Sequence, residues 1–326
     1  MTYSHPPASD RRLRRLAEEL EEVGFTVDGD DGWRQLVLEE IDLALRPPVH
    51  ERRRPSLGSI LEPRSDPSGW EAGTDLSILH RPVGNQPLVD VRRFADGLSS
   101  WVIRRVDGPD EWCLFDRPAG SERDLVVLSS VLEAIVVQRH PTGIVRVAGS
   151  FGVLRGDGLS WRLEPPVSGW IDKLRSGGTD HGNPVVLAAL IAFAVHDLGS
   201  LGIGATLVYR PDHDASPSVQ HRLPPPPPLE IHRPRALAPL RHALRQIDGA
   251  AIFDITGTLR QLGVQLVPSP VAADRVDGYG GMRHTSGRRY SFDDPHATVI
   301  VVSEDGPVTV LRGGEILGAS PGAVVG

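Results

Sequence analysis

Residues 245–304 read RQIDGAAIFDITGTLRQLGVQLVPSPVAADRVDGYGGMRHTSGRRYSFDDPHATVIVVSE, short apolar runs separated by Gly-, Pro- and Asp-rich turns. AAIFDI (250–255), GVQLVPS (263–269) and ATVIVVSE (297–304) are rich in branched and aromatic residues and bounded by turn formers, which predicts strands. PVTVLRGG (307–314) follows as an edge strand, and residues 240–246 precede the group as a helix. Working back, GATLVY (204–209) is a further strand and PVVLAALIAFAV (184–195) begins a buried helix over about 185–198. Asn183 can cap that helix, Pro184 suits its first turn, and Gly199 can close it. Helix, strand, helix and then a run of strands predicts a mixed-sheet α/β domain with flanking helices over residues 181–326.

Residues 1–180 predict a separate α+β domain. Leu13, Leu16, Ala17, Leu20 and Val23 share one face of a helix that Ser9 or Asp10 can start and Gly24 can stop, its RR and EE face turned to water. A second helix is expected over 33–45, and residues 46–69, where Pro, Gly and Ser recur, read as a loop. Short strands are expected within 75–106 and at WCLFD (112–116), a helix over 125–140, and a two-strand hairpin over 144–164 turning at Gly156-Asp157-Gly158. SGGTDHGN (176–183) marks the boundary, and the five prolines 224–228 predict a stiff polyproline insertion on the surface.

Composition narrows the function. A chain of 326 residues suits two domains, and 40% hydrophobic with 24% charged residues suits folded ones. Net charge of -7 argues against a general grip on nucleic acid, whose phosphates need a clustered basic surface. Cys113 is the single cysteine, MTYSHPPASDRRLRR lacks the apolar core of a secretory signal, and the apolar stretch near 185–195 falls short of the ~20 residues that span a bilayer. A cytoplasmic protein without a membrane segment is therefore expected. Twelve His and one Cys show no zinc spacing, and GGTDHGN and GSLGIGA lack the Lys and Ser/Thr of a P-loop.

Four segments, in order, resemble the diadenylate cyclase family: Gly204-Ala205-Thr206-Leu207-Val208, Asp248-Gly249-Ala250, Gly281-Met282-Arg283-His284 and Val302-Ser303-Glu304. They are similar to that family's early GAL strand, its DGA motif, its GTRHR motif and its VSE strand end. The match spans about 130 of the 326 residues, and no comparable motif marks residues 1–180, which by position suit a sensor or regulatory role.

The resemblance implies binding of ATP and condensation of two ATP into cyclic di-AMP and two pyrophosphates. It assigns catalysis to Asp248, Arg283 and His284, and nucleotide contacts to Gly249, Ala250, Val267, Gly281, Met282, Arg283, Ser303 and Glu304. Asp248 and Glu304 would hold Mg2+ or Mn2+, hard cations suited to carboxylate oxygens. Such transfer is catalysed mainly by positioning and charge neutralisation, so an Arg fork and carboxylates are its natural parts. Each domain would hold one ATP, which implies a homo-oligomer with cyclase domains face to face.

Two positions depart from the pattern: Met282 stands for the family's Thr and Thr285 for its second Arg, with Arg288 and Arg289 close enough in sequence to compensate. These departures keep two alternatives open, a degenerate module that senses ATP or a cyclic dinucleotide, and a cyclase with another product in stress or antiviral signalling. The chain continues only briefly past Leu317, without the helical DNA-binding extension of the scanning type, so regulation is expected from residues 1–180.

Overall fold

A computed structural model describes residues 10–49, 52, 54–176, 182–211, 219–220 and 223–321. They fall into two compact units, 1–166 and 167–326. The turn formers at 176–183 point to a boundary at 180/181, but Trp170 and Leu174 of helix Val167–Ser176 are buried in the core of the second unit, so that helix belongs with it.

Unit 1 comprises α1 (Asp10–Glu22), α2 (Asp31–Leu45), β1 (Leu57–Leu61), α3 (Trp70–Thr74), β2 (Ile78–Pro82), α4 (Leu88–Arg92), β3 (Ser100–Arg104), β4 (Glu111–Phe115), α5 (Glu122–Leu132), β5 (Ile135–Arg139), β6 (Val145–Gly149), β7 (Gly152–Gly156) and β8 (Trp161–Glu164). Its eight strands form one sheet in the order β2-β4-β3-β1-β5-β6-β7-β8, with β1 and β3 parallel and every other pair antiparallel. Leu13, Leu16 and Leu20 recur at helical spacing and are buried with β1, β5 and β6 residues on one side, while Leu125, Leu128 and Leu132 of α5 join the core that holds Trp70 and Trp101.

Three expectations are corrected here. The segment 46–69 contains β1, a fully buried strand at the middle of the sheet. Its Gly58 is required, because a Cβ there would lie 2.4 Å from Gly97 Cα. The helix expected over 125–140 ends at Leu132, where Glu133 takes a left-handed conformation (φ 49°) and the chain turns into β5. Residues 144–164 form three strands, not two. Cys113 is buried, and burial followed by the nearby Glu111 pushes its thiol up to about 12, so it is inert at neutral pH.

Unit 2 comprises α6 (Val167–Ser176), α7 (Pro184–Phe193), β9 (Ala205–Tyr209), β10 (Val219–Gln220), α8 (Pro234–Gln246), β11 (Ala250–Phe253), β12 (Leu259–Leu266), α9 (Pro270–Arg275), α10 (Met282–Asp293), β13 (Thr298–Val302), β14 (Val308–Arg312) and β15 (Glu315–Ala319). The sheet order is β10-β12-β11-β9-β13-β14-β15, with β9 and β11 parallel and the other pairs antiparallel. Together the units are an α+β domain followed by a mixed-sheet α/β domain with flanking helices. Beyond Phe193, α7 continues as a π turn over Ala194–Leu198 and a 3-10 turn over Gly199–Leu201, and Gly202 (φ 64°) closes it, three residues later than expected. This 18-residue run is long and apolar enough to cross a bilayer by length and composition, yet Leu187, Leu190, Ile191, Phe193 and Leu198 are buried in the core of unit 2.

The turn from β11 to β12 is organised by Asp254. Its carboxylate accepts from Thr256 N at 2.8 Å, Thr256 Oγ1 at 2.6 Å and Thr258 N at 3.0 Å, and pairs with Arg260 Nε at 2.5 Å. Burial raises the Asp254 pKa, but the bonds from Thr256, Thr258 and Arg260 outweigh it and hold the group below 3.8. A depressed carboxylate contributes stability above its unfolded pKa that is lost as pH falls through the folded one. Asp254→Ala should therefore destabilise unit 2 by about 2–3 kcal/mol at pH 7 and leave less to lose on acidification below pH ~4, as acid and thermal melts would measure.

Candidate functional site

A cleft of about 810 Å³ opens in unit 2 where the amino ends of the parallel strands β9 and β11 meet the carboxyl ends of β12 and β13 and the first turn of α10. This volume is that of a small-molecule site. Asp248 and Gly249 lead into β11, Ser303 and Glu304 follow β13, and Gly281, Met282, Arg283 and His284 start α10; all line the cleft, together with Ala250. Val267 does not: β12 ends at Leu266, and it is Leu266 that faces the cleft.

Glycines allow this convergence. Gly249 has φ 108°, and a Cβ on it would lie 2.7 Å from the carbonyl carbon of Gly263 and 2.9 Å from Val264 O. A Cβ on Gly204 would lie 2.5 Å from Arg283 Nη1 and 2.7 Å from Glu304 Cγ, so the bare backbone at the head of β9 makes room for the charged group beside it.

Arg283 is the hub of that group. Its Nη1 donates to Glu304 Oε1 at 3.0 Å and its Nη2 to Asp248 Oδ1 at 3.5 Å. The side chains of Asp248 and Glu304 are 98% and 74% exposed, so each pair is a solvated one worth at most about 1 kcal/mol and easily exchanged for a better anion. Gly281 caps α10 without a side-chain bond, which leaves the first N–H groups of the helix, and the positive end of its dipole, directed at the cleft. Guanidinium and helix terminus converge on one spot, an arrangement that favours phosphate.

His284 is half-buried against Tyr279, ring centroids 5.6 Å apart in an edge-on arrangement. Burial pushes its pKa below 6.5, with nearby Asp305 acting in the opposite direction. The free imidazole is thus neutral at pH 7.

The two departures from the family pattern have different structural fates. Met282 is 90% exposed at the rim. Thr285 Oγ1 accepts from Tyr279 N at 3.1 Å and donates to Tyr279 O at 3.3 Å, closing the turn that leads into α10. Arg288 and Arg289 do not replace the missing charge: their Nε atoms donate to Gly314 O at 2.7 Å and Val276 O at 3.0 Å, and neither lines the cleft. Thr206, Tyr279, Ser286 and Asp305 line it without having been expected. Thr206 is the one with a sequence signal, a polar residue inside the apolar GATLVY run.

Residues 194–316 match the family model described as DisA bacterial checkpoint controller nucleotide-binding (DAC), and residues 14–164 match the one described as a probable sensor domain, DACNK. No curated protein matches the chain. Among solved structures, a hypothetical membrane spanning protein from Bacillus cereus is similar at 23% identity over 40% of this chain and 61% of that one, with a TM-score of 0.30. A double-cysteine variant of DacA from Staphylococcus aureus is similar at 15% identity over 46% of this chain and 85% of that one, with a TM-score of 0.23. The chain spans about three fifths of the length of the first.

Proposed function

We propose, on the premise that residues 194–316 carry a DAC-type nucleotide-binding domain and residues 14–164 a DACNK sensor domain, that this protein is a diadenylate cyclase regulated by unit 1. The observation that supports it most is Arg283, held at the start of α10 between two exposed carboxylates. On ATP entry Arg283 exchanges those carboxylates for phosphate oxygens, and the α10 amino end takes up further phosphate charge. The 3'-oxygen of one ATP attacks the α-phosphorus of another, the bond to the β-phosphate breaks, pyrophosphate leaves and the hydroxyl proton is lost. Two such steps close the ring and release two pyrophosphates. In this reading Asp248, an exposed carboxylate lining the cleft, orients the incoming hydroxyl and accepts its proton.

One cleft of this size suits one ATP, so the second nucleotide comes from a second copy of the domain, face to face with the first, in a homo-oligomer. Among the described residues no group of three or more His, Cys, Asp or Glu is arranged to hold a metal alone. Two exposed carboxylates lining the cleft nonetheless fit Mg2+ or Mn2+, which take one or two carboxylates and complete their shell with phosphate and water. Asp248 and Glu304 would hold the ion, which when bound supplies positive charge to the phosphates and acidity to the hydroxyl. The cytoplasm, where ATP is plentiful, is the expected location.

A second reading has its own support. Thr285 is committed to the Tyr279 turn and Arg288 and Arg289 to backbone carbonyls, so among the described residues Arg283 is the one guanidinium lining the cleft. That favours a module that binds ATP or a cyclic dinucleotide without turnover, and an altered product in a stress or antiviral pathway remains the third outcome. Mass spectrometry of the products made from mixed nucleotides separates the three.

The state of His284 offers a check on binding itself. Its pKa lies below 6.5 in the free protein, and an incoming triphosphate raises it, so ATP binding takes up protons at pH values between the free and the bound pKa. Calorimetry near pH 6 in two buffers of different ionisation enthalpy should show this uptake, and His284→Asn should remove it. Equal heats in both buffers would contradict the placement of phosphate beside His284.

A further inference from the structure

Unit 1 contains a second cleft, of about 680 Å³, that plays no part in ATP chemistry. It opens at the carboxyl end of β1, between the last turn of α5 and the loop that joins α1 to α2. β1 lies between the parallel neighbour β3 and the antiparallel neighbour β5.

The lining has two components. Phe25, Trp33 and Phe151 supply aromatic surface, with Phe25 and Phe151 meeting edge to face at 4.6 Å between centroids. Among the described lining residues, Asp28, Glu62 and Glu133 supply three carboxylates, Glu62 also accepting from Val106 N, against the single guanidinium of Arg64, a net charge of -2. The carboxyl end of the 11-residue helix α5 adds the negative end of its dipole. Glu62 (φ 47°) and Glu133 (φ 49°) both hold the left-handed conformation, which costs a residue with a Cβ about 1 kcal/mol or more, and they are two of the four non-glycine residues that do so among those described.

The charge excludes an anionic ligand. A metal ion alone does not suit either, since no group of three His, Cys, Asp or Glu among the described residues is close enough to hold one, and the cleft is far larger than an ion. Aromatic rings beside carboxylates are the surroundings that retain organic cations, through the ring quadrupole and direct charge pairing. We propose that this cleft is the sensing site of unit 1 and that its ligand is a small organic cation, a protonated amine or a quaternary ammonium, with its apolar part on the aromatic wall. This inference does not rest on turnover in unit 2: a chain that makes no cyclic dinucleotide but binds the cation leaves it intact.

The test uses the full chain without nucleotide. Choline, spermidine and agmatine are titrated against glutamate and inorganic phosphate, with melting temperature and tryptophan emission as readouts. At least one of the three cations should raise the melting temperature and change the emission saturably. Trp33→Leu should abolish the emission change, and Glu133→Gln should weaken binding about tenfold. Glu133 is exposed, so that variant should fold as the parent does, and Asp28→Asn provides an independent second variant with the same expected direction. The proposal is overturned if none of the three cations binds, if phosphate or glutamate binds in their place, or if a cation binds equally well to all three variants.

Discussion

Arg283→Ala should lower kcat/KM for ATP by about 10²- to 10³-fold while leaving the melting temperature nearly unchanged. The loss follows from what the guanidinium does now and what it leaves behind. It is the positive side chain between Asp248 and Glu304, and removing it takes away a forked donor to phosphate, an effect of about 3–4 kcal/mol when such a donor acts on charge in a transition state. It also leaves two carboxylates facing an incoming triphosphate without a cation between them. The stability cost is small because both ion pairs are solvent-exposed. Arg283→Lys keeps the charge but not the fork and should fall between the two. Steady-state kinetics together with ATP calorimetry would separate lost binding from lost turnover, and an Arg283→Ala protein with parental ATP affinity and rate would remove Arg283 from the site.

The second large effect is structural. Glu40→Ala should destabilise unit 1 by about 3–5 kcal/mol, because Glu40 is fully buried and is shared by Arg92, Arg104 and the Ser59 hydroxyl, which donates to it at 2.6 Å. Arg104 and Arg92 are only 14% and 25% exposed, so the substitution strands the Arg92 guanidinium and the Ser59 hydroxyl and leaves Arg104 with Asp110 as its carboxylate partner, rather than merely deleting a contact. At roughly 2–4 °C per kcal/mol for a unit of this size, the transition of unit 1 should fall by about 6–20 °C. Calorimetry of the full chain would show it, and a shift of a degree or less would mean that the buried network contributes little beyond its own desolvation.

Much of the α/β half was legible because its strands are dense in Val, Ile and Phe and are separated by Gly and Pro, as in AAIFD and ATVIVVS. What escaped did so for local physical reasons. β1 is only LGSIL, with Gly58 and Ser59 interrupting its apolar residues and Pro55 and Pro63 on either side, and its place in the sheet comes from pairing with β3 and β5, which are distant in sequence. The α5–β5 junction carries no glycine, since Glu133 itself adopts the left-handed turn. α10 shows little amphipathic pattern, and its Gly287 reads as a breaker. In the fold that glycine is what lets the helix lie close to the sheet, a Cβ there being 3.1 Å from Val299 Cγ1 and from Val301 Cγ2.

The site divides in the same way. The order of Asp248-Gly249-Ala250, Gly281-Met282-Arg283-His284 and Ser303-Glu304 along the chain was readable, and the cleft gathers these residues together. The side on which Arg288 and Arg289 emerge was not, because it depends on the helical phase of α10, a helix that sequence patterning does not reveal. Val267, assigned through the resemblance, lies just past the end of β12 at Leu266 and does not line the cleft.

The central claim is that the cleft of unit 2 joins ATP molecules, and the most direct measurement is the product formed from ATP by the purified full chain with Mn2+ or Mg2+, identified by mass spectrometry. Cyclic di-AMP with two pyrophosphates per molecule, absent with Asp248→Ala, is the predicted result. ATP bound without any cyclic product under either metal, or no ATP bound at all, would contradict it.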